Sequence, residues 1–320
     1  MNRLSPFVVL LIGSASFAEK VVTVPDSSSE MVRVSKGFFF MGALDTEREN
    51  DSIGRQCRQE IGVRQVCSDD LLYRTARPAR KVYLEAFDID RTEVTVEKYQ
   101  ECVVAGYCDA APLIVGDTRY HVAGGPISNI TWTEASRYCA FRGKRLPTEA
   151  EWEKTARGND GRRFPWGNVI RYQGANHGKL EHGVLLLLHT LVMNQSSSFS
   201  AEYVEDESDG YLHAAPVGKM IWGSSPYGAV NMAGNVSEWV LDYYWSGLPG
   251  KGGYSDLPTL SPVRKAPKPG FPLEKVVRGG SWRLPLLYGR VYLRGRQLMH
   301  TRHADIGFRC AKGSPSSNRY

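Results

Sequence analysis

The chain contains no Cys-x-x-Cys pair, no long run of lysine and arginine, no fixed-period repeat and no apolar stretch long enough to cross a membrane as a helix. Each absence removes something. A structural metal cluster lacks its usual ligand spacing. A net charge of +6, spread without a basic run, does not argue for nucleic acid. The longest apolar runs, FVVLLI (7–12) and GVLLLLHTLVM (183–193), fall short of the roughly 20 residues a bilayer requires. No compositional break compels a second domain.

What is present is a chain of 320 residues, 42% hydrophobic, long enough to bury a large core. Its 32 glycines, 17 prolines and 11% aromatic residues predict short strands and helices joined by many loops. At the N-terminus, Arg3 precedes the apolar run, and small residues lead to Ser16 and Ala18 at the positions a signal peptidase reads. Residues 1–18 therefore read as a cleaved secretion signal and 19–30 as a polar linker, which makes the expected location secreted or periplasmic, with no transmembrane segment after cleavage. No cysteine follows the cleavage position, which argues against a lipid anchor.

Export changes the reading of the six cysteines. In an oxidising compartment an even set is a disulfide framework. Local spacing favours Cys57 with Cys67 and Cys102 with Cys108, leaving Cys139 for Cys310.

Along the chain, MVRVSKGFFFMG (31–42) carries a strand and turn signal. Residues 43–80 read as a charged surface excursion. A strand around Val82–Ile89 passes into a helix by Val96, where Tyr99, Cys102 and Val103 share a face. Thr131 with Glu134, and Thr148 with Glu151, have the spacing of capping boxes. The second opens the helix EAEWEKTAR (149–157), which stops at Gly158. The run at 183–193 reads as a buried strand, and the tail from Gly313 as loose.

Several segments then fall into a recognisable order: MVRVSKGFFFMG, FDIDRTEVTVEKY (87–99), GKRLPTEAEWEKTARG (143–158), FPWGN (164–168), SPYGAVNMAGNVSEW (225–239), RGGSW (278–282) and IGFRC (306–310). In this order the chain resembles the formylglycine-generating enzyme family, also called the sulfatase-modifying factor domain, over residues 31–312. The resemblance implies an α+β fold, a variant of the C-type lectin fold with little regular secondary structure, stapled by disulfides. It also implies the bridge between Cys139 and Cys310.

In NMAGNVSEW, an amide and a carboxylate alternate with glycine-spaced carbonyls, the oxygen mixture that suits calcium. The resemblance implies structural calcium ligands at Asn231, the carbonyls of Gly234 and Val236, and Glu238. A second set would comprise Asn176, the His177 carbonyl, Asp209 and the Tyr211 carbonyl, with the apolar insertion at 184–193 lying between its halves.

Catalysis is where the chain departs from the family. Its oxidase uses two cysteines shortly after RGG, whose thiolates hold copper(I). Those positions here are Leu284 and Gly289, so no copper is expected and no residue is assigned as catalytic. The candidate groove residues are Ser281, Trp282, Arg283, Arg290, Arg294, His300 and His303. In HTRHAD (300–305), two histidines and Asp305 offer a facial-triad metal set against the plainer reading of surface histidines. Ser281 lacks an evident general base and reads as part of a turn. Seven arginines between Arg278 and Arg309 make either a cationic face for an acidic group or an extended peptide, or a set of buried partners for acids elsewhere. The leading expectation is a non-oxidase binding or accessory protein. The alternatives are an enzyme of different chemistry in the same groove, and residual conversion of cysteine or serine to formylglycine in sulfatases.

Overall fold

The computed structural model describes residues 30–44, 74–115, 120–178, 207–245 and 253–313. The proposed signal, Cys57, Cys67 and the apolar run at 184–193 lie outside the described residues. The nine described strands are short and form three sheets. Strands β1 (Met31–Val34), β4 (Phe87–Asp90) and β9 (Ala311–Lys312) pair antiparallel, bringing the two ends of the described chain together. Strands β2 (Gly37–Met41) and β3 (Arg80–Leu84) form a ribbon. The third sheet has the order β7 (Gly295–Leu298), β6 (Glu274–Arg278), β5 (Ser237–Tyr243) and β8 (Ile306–Phe308), with β5 and β8 parallel. The strand expected around Val82–Ile89 is two strands, broken where the chain crosses from the ribbon to the first sheet.

Four helices accompany the sheets among the described residues: α1 (Val96–Val104), the single turn α2 (Ala111–Ile114), α3 (Trp132–Phe141) and α4 (Glu149–Arg157). Helix α1 buries Tyr99 and Cys102, two residues of the expected face. Both capping boxes form as the spacing requires: the Thr131 and Thr148 hydroxyls accept from the amides of Glu134 and Glu151, whose carboxylates accept from the threonine amides in return. Each cap contributes about 1 kcal/mol by satisfying otherwise orphaned donors. Two disulfides form among the described residues, Cys102 to Cys108 and Cys139 to Cys310. The second joins α3 to the strand-end loop after β8 across 171 residues, a closure that restricts the unfolded chain by an amount worth about 4–5 kcal/mol.

Helix α4 is the unusual element. Its sequence, EAEWEKTAR, has the charge of a surface helix, yet all nine residues are buried. Glu149 and Glu153 meet Arg157, Arg278 and Arg294 in the interior. Arg278 donates to Glu149 at 3.1 Å and to Glu153 at 2.6 Å, Arg157 to Glu153 at 3.0 Å, and Arg294 to Glu149 at 2.6 and 3.0 Å. Burial opposes ionisation of Glu149, but Arg294 and Arg278 outweigh it and hold its carboxyl below the usual range. Further guanidinium N–H groups donate to backbone carbonyls: Phe40, Gly42 and Gly161 accept from Arg157, Val291 and Tyr292 from Arg278, and Thr75 and Trp245 from Arg294. The network thereby ties the ribbon, α4, β6 and the loops beside them into one core.

Two outcomes follow for stability. Arg278→Met leaves Glu153 buried against Arg157 alone, and is expected to lower the unfolding free energy by about 3–5 kcal/mol in urea titration; a loss below about 1 kcal/mol would mean that the network relaxes around the gap. The second concerns Asp242, fully buried at the base of α4, where it accepts from the amides of Glu149 and Arg264. Burial, then the Glu149 carboxylate, pushes Asp242 up to about 7. The folded state thus keeps a proton that the unfolded chain releases near pH 4, and this contribution to stability is lost as pH rises through that window to about 7. The urea midpoint of Asp242→Asn should therefore decline less from pH 5 to pH 7 than that of the unsubstituted protein; parallel declines would contradict the assignment.

Candidate functional site

Strand β6 ends at Arg278, whose buried guanidinium anchors the turn that follows. Gly279 and Gly280 both have positive φ, +99° and +70°. A Cβ on Gly279 would lie 3.2 Å from the Trp152 ring, and one on Gly280 would lie 3.0 Å from the Gly289 amide nitrogen. Both glycines are therefore required by close approach as well as by backbone conformation. The turn delivers Ser281 and Trp282, and the chain returns through a 3-10 turn at Leu286–Gly289 to pack against Gly280.

The two positions that the sequence resemblance matched to the family's thiols, Leu284 and Gly289, are both apolar. Leu284 is half-buried, its carbonyl accepting from the Gly178 amide at 3.0 Å. Gly289 is buried, and a Cβ there would lie 3.1 Å from the Ala233 Cβ. The backbone has closed onto this position. The four described cysteines are all consumed by disulfides.

What surrounds the turn is aromatic. Trp282 packs against Tyr120 and His213, with ring centroids 5.1 and 5.0 Å away, and those two rings are themselves 4.6 Å apart. Beside them the Ser281 hydroxyl donates to Asp305 at 2.8 Å, and Arg283 lies 3.9 Å from the same carboxylate and 5.7 Å from the Trp282 ring centroid. The partner of Ser281 is thus a carboxylate rather than an imidazole, an arrangement that fixes the turn without preparing a nucleophile. Burial lowers the pKa of His303, with Arg283 adding to the effect and Asp305 opposing it, so the ring is held towards its neutral form.

The candidate groove residues separate here. Ser281, Trp282, Arg283 and His303 belong to one neighbourhood, whereas His300 is exposed on the turn after β7. Among the described residues no group of three or more His, Cys, Asp or Glu is arranged to hold a metal ion, so HTRHAD does not form the facial set considered from its sequence. Arg290 and Arg294 have buried side chains, with Arg294 on Glu149. Of the two readings of the arginine series, partnership with acids is the one found: Arg278, Arg294, Arg296, Arg302 and Arg309 all pair with glutamates, and for the buried Arg278, Arg294 and Arg309 an unpaired guanidinium would keep its desolvation penalty uncompensated.

The expected calcium ligands lie in a connected buried network whose centre is Glu93, a residue not singled out in the sequence. Glu93 accepts from Asn231 Nδ2 at 3.0 Å and Asn235 Nδ2 at 2.8 Å, and Asn235 Oδ1 in turn accepts from Asn176 Nδ2 at 3.3 Å. Asn231 Oδ1 and Asn176 Oδ1 are buried without a hydrogen-bond partner. Burial raises the Glu93 carboxyl to about 7, Glu238 adding to the rise and Arg309 opposing it. Orphaned amide oxygens beside a carboxylate short of positive charge fit a hard cation. Asp209 accepts from the amides of His177 and Tyr211 at 2.8 and 3.0 Å, which brings the second expected set together. Glu238 is placed differently: Arg309 grips both its oxygens at 2.7 Å and Trp152 donates to it at 2.8 Å.

The sulfatase-modifying factor enzyme 1-like domain model matches residues 18–314. The chain belongs to this family. It is 25% identical to the formylglycine-generating enzyme of Bos taurus over 90% of this chain and 75% of that protein. Against the Streptomyces coelicolor enzyme of the same name, identity is 32% over 58% of this chain and 52% of the relative. An inactive Cα-formylglycine-generating enzyme 2 of Bos taurus is 29% identical over 59% of this chain and 50% of that one. Among solved structures, PvdO from Pseudomonas aeruginosa superposes with a TM-score of 0.61 at 24% identity, covering 88% of this chain and 93% of the other. Variable protein 1 of Treponema denticola gives 0.53 at 20%, covering 88% and 94%. These structural likenesses support the mixed helix and sheet architecture.

Tyr120, His213 and Glu93 could not be found by motif, since each is joined to the site only in space. Closure around Gly289 has a direct test. Gly289→Cys is expected to cost about 1–3 kcal/mol, and a double-mutant cycle with Ala233→Gly should show favourable coupling; independent effects would mean that Ala233 is not the obstruction.

Proposed function

We propose that this protein is an exported, non-oxidising member of the family, a binding or accessory protein that retains the architecture of the site without its copper thiols. The observation that carries the reading is the pair Leu284 and Gly289: one side chain is a hydrocarbon, the other position has no room for a thiol without displacing Ala233. Neither residue supplies a ligand for copper or a group able to exchange with a substrate cysteine. The relative named as inactive supports the reading, because it shows that proteins of this family exist without the oxidase activity. The aromatic cluster of Tyr120, His213 and Trp282, with Arg283 beside it, suits a planar or apolar ligand bearing an acidic group better than a strongly charged one. The fold is read as the family's variant of the C-type lectin type, and the disulfides accord with an oxidising compartment.

Calcium is part of the proposal. Asn231, with the carbonyls of Gly234 and Val236, would hold one ion, with Glu93 rather than Glu238 as the free carboxylate. Asn176, the His177 carbonyl, Asp209 and the Tyr211 carbonyl would hold a second. Such ions would neutralise buried oxygen donors and fasten loops that lack helix or sheet pairing.

Incubation with a cysteine-containing sulfatase peptide, copper(I) and oxygen, followed by mass spectrometry, should leave the cysteine unconverted. Catalytic conversion to formylglycine would overturn the assignment. For calcium, chelation should lower Tm by several degrees, and calcium but not magnesium should restore it; a melt indifferent to chelator would refute the ion.

A further inference from the structure

Two single turns of 3-10 helix, Tyr172–Gly174 and Ile221–Gly223, lie side by side at the surface. Their contact is set by glycine: a Cβ on Gly223 would come within 1.8 Å of the Gly174 carbonyl oxygen, so only bare backbone can approach there. The turns rest on the Trp166 ring, which stacks on Phe164 with centroids 5.0 Å apart. This rigid base holds outward four apolar side chains, Val169, Tyr172, Ile221 and Trp222, exposed by 70, 47, 57 and 73% respectively. Trp222 and Ile221 are among the most water-exposed large apolar residues described, although each is adjacent to a buried position, Met220 or Gly223, that the same turn uses for packing.

The charge carried by the two turn segments has one sign. Arg171 and Lys219, both exposed, stand at the starts of the two turns, and the segments 166–174 and 216–224 carry no carboxylate. Neither cation makes an ion pair among the described residues. Of the described carboxylates that flank these segments in sequence, Asp160 pairs with Arg162, and Asp209 is tied to the amides of His177 and Tyr211. Side chains exposed to this degree stand proud of the surface, whereas a bound peptide segment requires side chains lining a concavity.

We propose that this paired-turn tip is a membrane-docking surface, in which Trp222, Ile221, Tyr172 and Val169 enter the interface of an anionic bilayer while Arg171 and Lys219 meet its phosphates. Tryptophan and tyrosine favour the headgroup boundary because their rings are apolar and their polar atoms remain hydrated there. The basic pair supplies the attraction to anionic lipid, and the rigid glycine contact avoids an ordering cost on binding. No described helix is long and apolar enough to cross a membrane, so the association would be peripheral.

Cosedimentation of the whole protein with phosphatidylcholine vesicles, with and without phosphatidylglycerol, tests the proposal. The protein should pellet with the anionic vesicles, and Ile221→Ser with Trp222→Ser should weaken binding by about tenfold or more. Arg171→Gln with Lys219→Gln, and added salt, should weaken it as well. Because these side chains are exposed, the variants should melt with the unsubstituted protein, which separates lost docking from lost folding. Failure to pellet with either vesicle, equal binding to uncharged vesicles, or serine variants that bind as well as the original would each overturn the proposal. So would sedimentation velocity showing a dimer that the serine variants disperse, since the face would then meet a second copy of the chain.

Discussion

Arg278 bridging Glu149 and Glu153 is the contact on which the arrangement of the site depends. The arginine ends β6 immediately before the glycine turn, and the two acids lie one helical turn apart on α4, so a single guanidinium fixes the distance between sheet and helix. Three arginines face two glutamates in this interior, leaving one positive charge in excess, which the carbonyls lining the network accommodate. Neutral replacements could fill the same volume, but removing one member alone leaves an ion without its partner in a medium that cannot solvate it. With Arg278 in place, Gly279 lies over Trp152, and the direction in which Ser281 and Trp282 leave the turn is determined.

That inward use of charge explains the character of the candidate site. The arginines after RGG could have made a basic groove for an acidic ligand, and most are instead consumed in holding loops to the core. What remains beside the turn is an aromatic trio with one partly exposed arginine, and the apolar residues Leu284 and Gly289.

A second buried network, around Glu93, stands in a different condition. Its carboxylate is held by two asparagine amides, and two further amide oxygens point at nothing. In the Arg278 network both carboxylates have guanidinium partners, whereas the Glu93 carboxylate is met by amides. A loop-rich fold with few ladder hydrogen bonds gains order from such centres, and the one near Glu93 gathers residues from three distant segments.

The ordered motifs, the two capping boxes, the long disulfide and the apolar identity of Leu284 and Gly289 were all legible in the sequence. Each is either local, like a threonine three residues before its glutamate, or a matter of residue identity at a position. The burial of EAEWEKTAR was not legible, because Glu149 and Glu153 find Arg278 and Arg294, more than a hundred residues away, in addition to the local Arg157. Nor was the fate of the arginine series, for which the sequence left both a cationic face and buried partnership open. Sequence alone determined which chemistry is absent from the site. Tertiary structure decided which charges are spent and which are available, since pairing in a low-dielectric interior depends on distance in space, and a linear order of residues carries no such distance.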